Sequence, residues 1–170
     1  MNSYFRRLLA DYAEYHRAPW NCAMHVLGIL SLFLASNLPL GLWFITVLGV
    51  QISMATMALT PALIFWLALD FELGAVIVGV AIALLAVATM ILNHLTTVGM
   101  WSLTAVLILI GVSSLIIGHL IFEHRRPAAV DHPIHLLVGP MFVTAKLVVA
   151  LGFRPDLRII IGKPRQASPR

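Results

Sequence analysis

The side chains in this sequence that could bind a metal lie near the two ends of a long apolar region. His16 and His25 flank the start of the first apolar segment, and His119 lies near the end of a later one, with Glu123 four residues further on. Residues four apart share one face of a helix. Histidines and a carboxylate suit Fe(II), Zn or Mn, and two histidines with one carboxylate are the recurring non-haem iron set. These four residues are candidate metal ligands, and Asn21, one turn before His25, is a candidate to orient a ligand.

The composition places these residues in a membrane protein. Of the 170 residues, 61% are hydrophobic and 11% are charged, against roughly 45–50% and ~25% in an ordinary soluble domain. A small soluble domain needs polar residues to cover its surface, so a soluble globule, a disordered chain and a disulfide scaffold are excluded. No charged residue lies between Arg17 and Asp70 or between Glu72 and Glu123. The cations flank apolar runs, which indicates a lipid bilayer as partner and no nucleic acid.

The apolar segments predict an all-α, integral membrane helical bundle with about four transmembrane helices, each of about 20 residues. The expected spans are one at 21–36, one within 40–69, one at 74–92 and one at 100–122. The second region is too long for one upright helix, so we expect either a tilted helix kinked at Pro61 or a short re-entrant piece before the helix.

The segments outside the spans have their own patterns. Residues 4–15 predict an N-terminal amphipathic helix that ends before Pro19. Residues 136–153 carry Lys146 in their middle, which predicts a C-terminal interfacial or re-entrant segment rather than a span. The chain from Arg154 onward is expected to be loose. We therefore predict one membrane-embedded domain over 1–158 and a basic C-terminal tail over 159–170.

An even number of spans brings the candidate site together. Four crossings place the start of the first span and the end of the fourth at one membrane face, and a turn at Pro19 allows both His16 and His25 to point inward. The same crossings put the N-terminal arginines on the side of Arg125 and Arg126, which the positive-inside rule identifies as the cytoplasm. Both termini are therefore predicted to be cytoplasmic.

Other histidines have simpler interpretations. His94 is expected to be a solvated loop residue. His124 is interpreted as part of the basic flank, and His132 and His135 as residues near the lipid headgroups, with metal binding as an alternative. For His25 and His119 the alternative to a metal site, a buried histidine hydrogen-bonded to a neighbour, stays open at this point.

Two motifs resemble a known family. Residues 16–25 read HRAPWNCAMH, which fits H-x-x-P-x-N-x-x-x-H. Residues 118–128 read GHLIFEHRRPA and fit G-H-x-x-F-E-x-R-R-P-A, followed by Asp131 and by GPMF at 139–142. Together they resemble the small membrane family of 2-hydroxy fatty acid dioxygenases of fungal phytosphingosine breakdown and its bacterial relatives. The resemblance extends from Tyr12 to about Arg158.

The resemblance implies an Fe(II)-dependent enzyme that shortens a 2-hydroxy fatty acid by one carbon with O2. It maps the family's histidines onto His16, His25 and His119, and its acidic residue onto Glu123. Glu123 and Asn21 are then the expected catalytic residues. Arg125 and Arg126 at the rim would attract the anionic headgroup of the substrate. A bacterial inner membrane is the expected location.

The sequence departs from the family pattern at two positions, and two other functions remain as alternatives. Leu115 stands where the family usually has Gln, and Lys146 where it often has an acidic residue, so both are expected to bear on the substrate path. A membrane Zn hydrolase or other lipid-modifying enzyme could use the same ligands. A non-enzymatic transport or assembly protein would need a polar path, for which the spans offer few polar residues.

Overall fold

A computed structural model describes residues 2–124 and 134–162 and confirms the all-α membrane bundle. The helices and the two strands follow one another along the chain as α1 (Ser3–Glu14), α2 (Pro19–Leu40), β1 (Phe44–Val47), β2 (Val50–Ser53), α3 (Met54–Leu69), α4 (Phe71–His94), α5 (Thr97–Ile117), a π-helical segment (Gly118–Glu123), α6 (His135–Ala150) and α7 (Pro155–Gly162).

Three of the described helices are long and apolar enough to cross a membrane. They are α2, α4, and α5 together with the π-helical segment, which continues it to Glu123. Helix α3 is apolar but has only 16 residues, and it continues through Pro61. Helices α6 and α7 would pass the same test as a pair, but they are bent by 119° at the break between them. Helix α3, which lies where the second span was expected, is thus shorter than the ~20 residues of a typical crossing.

The region before α3 forms a β-hairpin, which the sequence interpretation did not include. Strands β1 and β2 pair antiparallel with Val47 opposite Val50. The two residues between them, Leu48 and Gly49, have φ of 51° and 81°. Two successive positive φ values are typical of the tight hairpin turn that matches strand twist. The extra length of region 40–69 is used by this hairpin, rather than by a tilted helix.

Helices α2 and α5 pack closely through small residues. A Cβ placed on Gly28 would lie 2.8 Å from the Leu115 side chain, and one on Gly111 would lie 2.6 Å from Leu32. Small residues at such contacts let membrane helices approach and pack by van der Waals contact. This close pair brings the start of α2 and the end of α5 together, where the candidate ligands lie.

A layer of three helices covers that end of the bundle. Helices α1, α6 and α7 share one apolar core with the end of α3 and the start of α4. The buried members of this core include Phe5, Leu9, Trp66, Leu73, Phe142 and Leu157. We call α1, α6 and α7 the helical cap. The first and last described helices therefore lie at the same end of the molecule.

The predicted end of the N-terminal helix agrees with the structure. Helix α1 ends at Glu14, and Pro19 is the first residue of α2. Proline is favoured at the first position of a helix because the N–H that it lacks would have no partner within the helix. Residues 15–18 therefore form the turn that was expected between the two helices.

The expectation of a loose tail needs correction. It is wrong for Pro155–Gly162, which is helical because Leu157 and Ile160 are buried in the core. Helix α7 therefore continues past residue 158, where the sequence predicts the start of the tail.

Arg154 connects the helical cap to the bundle through ion pairs. It lies between α6 and α7 and forms ion pairs with Asp70 at 3.2 Å, Glu72 at 2.6 Å and Asp156 at 2.8 Å. Burial acts to raise the pKa of Asp70, but hydrogen bonds from Arg154 and from the Leu73 N–H outweigh it, so this pKa lies below its ordinary value. Asp70 also accepts the Leu73 N–H as the N-cap of α4.

Candidate metal centre

Three buried histidines meet under the helical cap. His16 lies between α1 and α2, His25 on the second turn of α2, and His119 in the π-helical segment. One ring nitrogen from each lies within 4.8 Å of the others. Two nitrogens bound at ~2.1 Å to one ion are at most about 4.2 Å apart, so a bound ion would draw the rings slightly together. Among the residues that the structure describes, these three form a group that could hold a metal ion.

Hydrogen bonds fix which nitrogens of the first two rings are available. The Nδ1 atom of His16 lies 2.8 Å from the Tyr12 carbonyl, and that of His25 lies 2.9 Å from the Asn21 carbonyl. A carbonyl oxygen only accepts, so both Nδ1 atoms carry the proton and a neutral ring leaves Nε2 with a lone pair. The two Nε2 atoms lie 3.0 Å apart. Two facing lone pairs repel unless a cation or a proton lies between them, which fits a metal ion.

The surroundings of His16 keep its ring neutral. Burial, followed by the neighbouring His25, lowers the pKa of His16 to about 2. The Tyr12 ring stacks on it at 3.9 Å between centroids, and the Phe142 ring lies at 5.5 Å. Burial raises the pKa of Tyr12 above its ordinary value, so this phenol also stays neutral. An unprotonated imidazole is the form that binds a metal.

The third ring has a nitrogen without a protein partner. His119 is 4% exposed, and its ring centroid lies 4.8 Å from that of His16 and 4.9 Å from that of His25. Its Nδ1 has no hydrogen-bond partner within residues 2–124 and 134–162. Leaving a buried polar atom unpaired costs about 1–3 kcal/mol. A metal ion bound by the three rings would remove part of such a cost.

Glu123 connects the two segments that carry the histidines. Its Oε1 accepts the Ala18 N–H at 2.7 Å and the Asn21 Nδ2 at 3.2 Å. Helix α2 has no side-chain cap of its own, so this carboxylate satisfies a donor at its N-terminus and interacts favourably with its dipole. Because Asn21 is one turn before His25 and Glu123 is four residues after His119, the contact joins the two helix turns that carry these histidines.

The geometry of the π-helical segment explains why it begins with glycine. A Cβ on Gly118 would lie 2.5 Å from Asn21 Oδ1, closer than real side chains come. Only glycine therefore lets Asn21 lie against the segment while its amide reaches Glu123. Short π-helical stretches within α-helices occur frequently at functional sites. Here the stretch directs His119 toward the start of α2.

The structure thus brings five predicted residues to one end of the bundle: His16, Asn21, His25, His119 and Glu123. Arg125 and Arg126, the predicted substrate-binding residues, lie outside the described residues, as does His132. His94 and His124 are exposed.

His135 and Leu115 differ from their sequence-based interpretations. His135 is 2% exposed and lies in the cap, with its Nε2 3.4 Å from Asp11 Oδ2, rather than among lipid headgroups. Leu115 packs against Gly28 between α2 and α5, so it shapes helix packing more directly than a substrate path.

Sequence reasoning missed several neighbours of the site. Tyr12 was assigned only to an amphipathic face, and Phe142 only to a motif. Cys22 donates to the His16 carbonyl at 3.7 Å. Lys146, which the sequence places on the expected substrate path, donates to the Cys22 sulfur at 2.7 Å. The position of Tyr12 four residues before His16 is the one local signal, because such a spacing lets the rings stack across a helix turn.

A helical membrane protein with a buried histidine triad at one end of its bundle is the class that this fold and site define. The chain matches the Mpo1-like family, described as 2-hydroxy-palmitic acid dioxygenase Mpo1-like, over residues 2–151. It belongs to this family, which confirms the resemblance seen in the sequence. No curated protein and no solved structure matches the chain significantly.

Proposed function

We propose that this protein is an Fe(II)-dependent dioxygenase that shortens 2-hydroxy fatty acids by one carbon at the membrane. The observation that carries the proposal is the triad of His16, His25 and His119, with its ring nitrogens within 4.8 Å, in a chain of the Mpo1-like family. Fe(II) bound there would supply the redox chemistry that activates O2.

The residues of the chain have separate roles in this proposal. His16 and His25 offer Nε2, because backbone carbonyls hold their Nδ1 protons. His119 completes the triad. Asn21 and Glu123 are positioning residues through their mutual hydrogen bond. Within the described residues no hydrogen bond is made by the second oxygen of Glu123, so this carboxylate can also serve as a fourth ligand or accept a proton from the 2-hydroxyl group.

The placement of the site suits a lipid substrate. The histidines lie under the helical cap, beside spans whose outer surfaces are apolar, so the site adjoins the lipid in which a fatty acid dissolves. The helical cap covers the triad and excludes water, which strengthens electrostatic interactions within the site. Arg125 and Arg126 follow closely after the π-helical segment and are proposed to attract the anionic headgroup.

Oxygen consumption tests the proposal. Purified, Fe(II)-loaded protein is expected to convert a 2-hydroxy acid and one O2 into the acid one carbon shorter, CO2 and water, a stoichiometry that balances all atoms. The non-hydroxylated acid is expected to react poorly. Mass spectrometry of the acid and an oxygen electrode provide the two readouts. Absence of O2 uptake with any medium- or long-chain 2-hydroxy acid would contradict the proposal.

A zinc hydrolase is the second candidate, because three histidines are also a ligand set of catalytic zinc. It predicts that Zn rather than Fe(II) restores the activity of chelator-treated protein and that no O2 is consumed. Reconstitution with each metal, followed by the same oxygen measurement, separates the two functions.

A further inference from the structure

Lys146 is a cation in an otherwise apolar part of the protein. It lies on α6, half-buried, and its Nζ lies 2.7 Å from Cys22 Sγ and 3.4 Å from the His16 carbonyl oxygen. The ammonium also lies 4.9 Å from the centroid of the Phe142 ring. In the described part of the chain no carboxylate pairs with it.

Such a cation is costly unless it has an anionic partner. A charge removed from water loses hydration that a thiol, one carbonyl and a ring face replace only in part. Ionisable residues that face the interior of a membrane protein commonly mark substrate paths. The ammonium lies beside the backbone of His16, one of the three histidines. It is therefore in position to bind an anionic group of a molecule at that centre.

An apolar cavity of about 110 Å³ begins one turn further into the bundle. It lies between α2, α3, α4 and α6. Its lining includes Val26, Ile29, Phe33, Ile77, Ala81 and Val143.

The cavity and the lysine lie along one face of α2. Cys22, Val26, Ile29 and Phe33 occur at helical spacing, so they form one stripe. Cys22 at the start of this stripe contacts the lysine, and the other three line the cavity. A ligand with a polar head and an apolar chain would therefore meet first the cation and then the apolar cavity along this face of α2.

We propose that Lys146 and this cavity form the binding site of a long-chain carboxylic acid. The carboxylate contacts Nζ of Lys146, near His16, and the first few methylene groups of the chain occupy the cavity, while the remainder of the chain extends into the bilayer. The identification of this ligand as the 2-hydroxy acid substrate rests on the proposed function; the binding itself does not.

The lysine contributes the selectivity of this site. Lipid chains are as apolar as the cavity, so moving a chain from bilayer to cavity changes the free energy little. The carboxylate, in contrast, gains a charge-assisted hydrogen bond in a region of low dielectric constant. The site is therefore expected to prefer an acid over an alcohol of the same chain length.

Ligand displacement from metal-free, full-length protein in detergent tests the first half of the proposal. Palmitic acid and hexadecanol each compete with a fluorescent fatty acid. Lys146→Met is expected to weaken palmitic acid binding about tenfold or more, since one charge-assisted hydrogen bond is lost, and to leave hexadecanol binding unchanged. Lys146→Arg keeps the charge and is expected to retain the preference for the acid. Arg17→Gln removes an exposed cation paired with Glu14 and serves as the matched control.

A second pair of variants tests the cavity. Val143→Trp fills it and is expected to weaken the binding of both palmitic acid and octanoic acid, since the space that is filled lies next to the carboxylate. Ile82→Trp adds the same side chain at an exposed position of α4 and is expected to change neither. Unchanged acid binding in Lys146→Met, or unchanged acid binding in Val143→Trp, overturns the proposal. Since these measurements need neither iron nor O2, failure of binding and failure of oxygenase activity are separate results.

Discussion

The most informative contact in the structure is the one between the Nε2 atoms of His16 and His25. Their Nε2 atoms are 3.0 Å apart, which is also the separation of two nitrogens at ~2.1 Å from one ion with an angle of about 90° between them. The backbone carbonyls that hold the two Nδ1 protons predefine this arrangement before any ion binds. Two candidate ligands are therefore preorganised, and the third candidate, His119, comes from the π-helical segment at the end of α5.

Removal of the third ligand gives the most direct test at this scale. His119→Ala is expected to lose most of the bound metal while the protein remains helical and membrane-inserted, because insertion depends on the apolar spans. Metal analysis of protein purified without added metal, with circular dichroism for the fold, provides the measurement. His94→Ala changes an exposed histidine at the end of α4 and should keep full occupancy. Full occupancy in His119→Ala would exclude this site.

Gly118 is the second residue for which the structure predicts a specific effect of mutation. Gly118→Ala places a Cβ 2.5 Å from Asn21 Oδ1, and overpacking of this kind costs about 1–3 kcal/mol. We expect lower thermal stability and weaker metal binding together, because Asn21 and Glu123 must move. Gly79→Ala provides the control, since no side chain beyond its two chain neighbours and no other helix lies within 4 Å of its added Cβ. Equal melting temperatures for the two variants would contradict the close approach.

At the scale of elements, the π-helical segment and the start of α2 behave as one unit joined by Glu123. Glu123→Gln keeps an acceptor for the Ala18 N–H but loses the charge, whereas Glu123→Ala loses both. If Glu123 positions the histidines, metal affinity should fall roughly 10–100-fold in Glu123→Ala and less in Glu123→Gln. Equally complete loss of metal in both variants would instead identify Glu123 as a ligand. Metal titration of each variant distinguishes these results.

The Arg154 ion pairs are a second connection between elements. Arg154→Met leaves Asp70 buried without its cation and is expected to destabilise the protein by about 1–3 kcal/mol at neutral pH. Burial raises the pKa of Asp70, but Arg154 and the Leu73 N–H outweigh burial and hold it below the ordinary 3.8. The contribution of the pair is therefore present above about pH 4 and is lost as the pH falls through the lowered value. Thermal melts at pH 7 and pH 3 should show the difference between variant and parent shrinking. Arg158→Met, at an exposed position of α7, should show no such pH dependence.

Hydrophobic patterning predicted the helices of the bundle but not every element. The charge-free runs that became α2, α4 and α5 are long enough to be assigned by length alone. The hairpin was missed because Ile45, Val47 and Val50 are as apolar as a span, and its turn depends on the positive φ of Leu48 and Gly49. Helix α7 was missed because Leu157 and Ile160 are buried only through their packing against the other helices of the cap, which the sequence does not show.

At the scale of the whole molecule, the helical cap places both described ends of the chain on one side of the bundle. The arginines near α1 and those after the π-helical segment are then expected on the cytoplasmic side. Reporter fusions after Arg126 and at the C-terminus should both give cytoplasmic signals. A periplasmic signal after Arg126 would separate His119 from His16 and His25 by a bilayer and contradict the bundle.

The candidate site could be found from sequence because its polar residues are rare in an apolar chain. His16, His25 and His119 stand out at segment ends, and the four crossings expected from the sequence would bring them to one face. The neighbours of the site could not be found in this way. Tyr12 and Phe142 reach it only through the packing of α1 and α6 over the bundle, and that packing depends on side-chain shape across distant segments.

The order of the ligands along the chain has a consequence for biosynthesis. His16 and His25 leave the ribosome first, whereas His119 follows only after α3 and α4 have been made. A nascent chain therefore carries only two of the three candidate ligands until α5 is inserted and packs against α2 through Gly28 and Gly111. Metal loading is expected to be among the last events of maturation, so a truncated or stalled product would remain without bound metal.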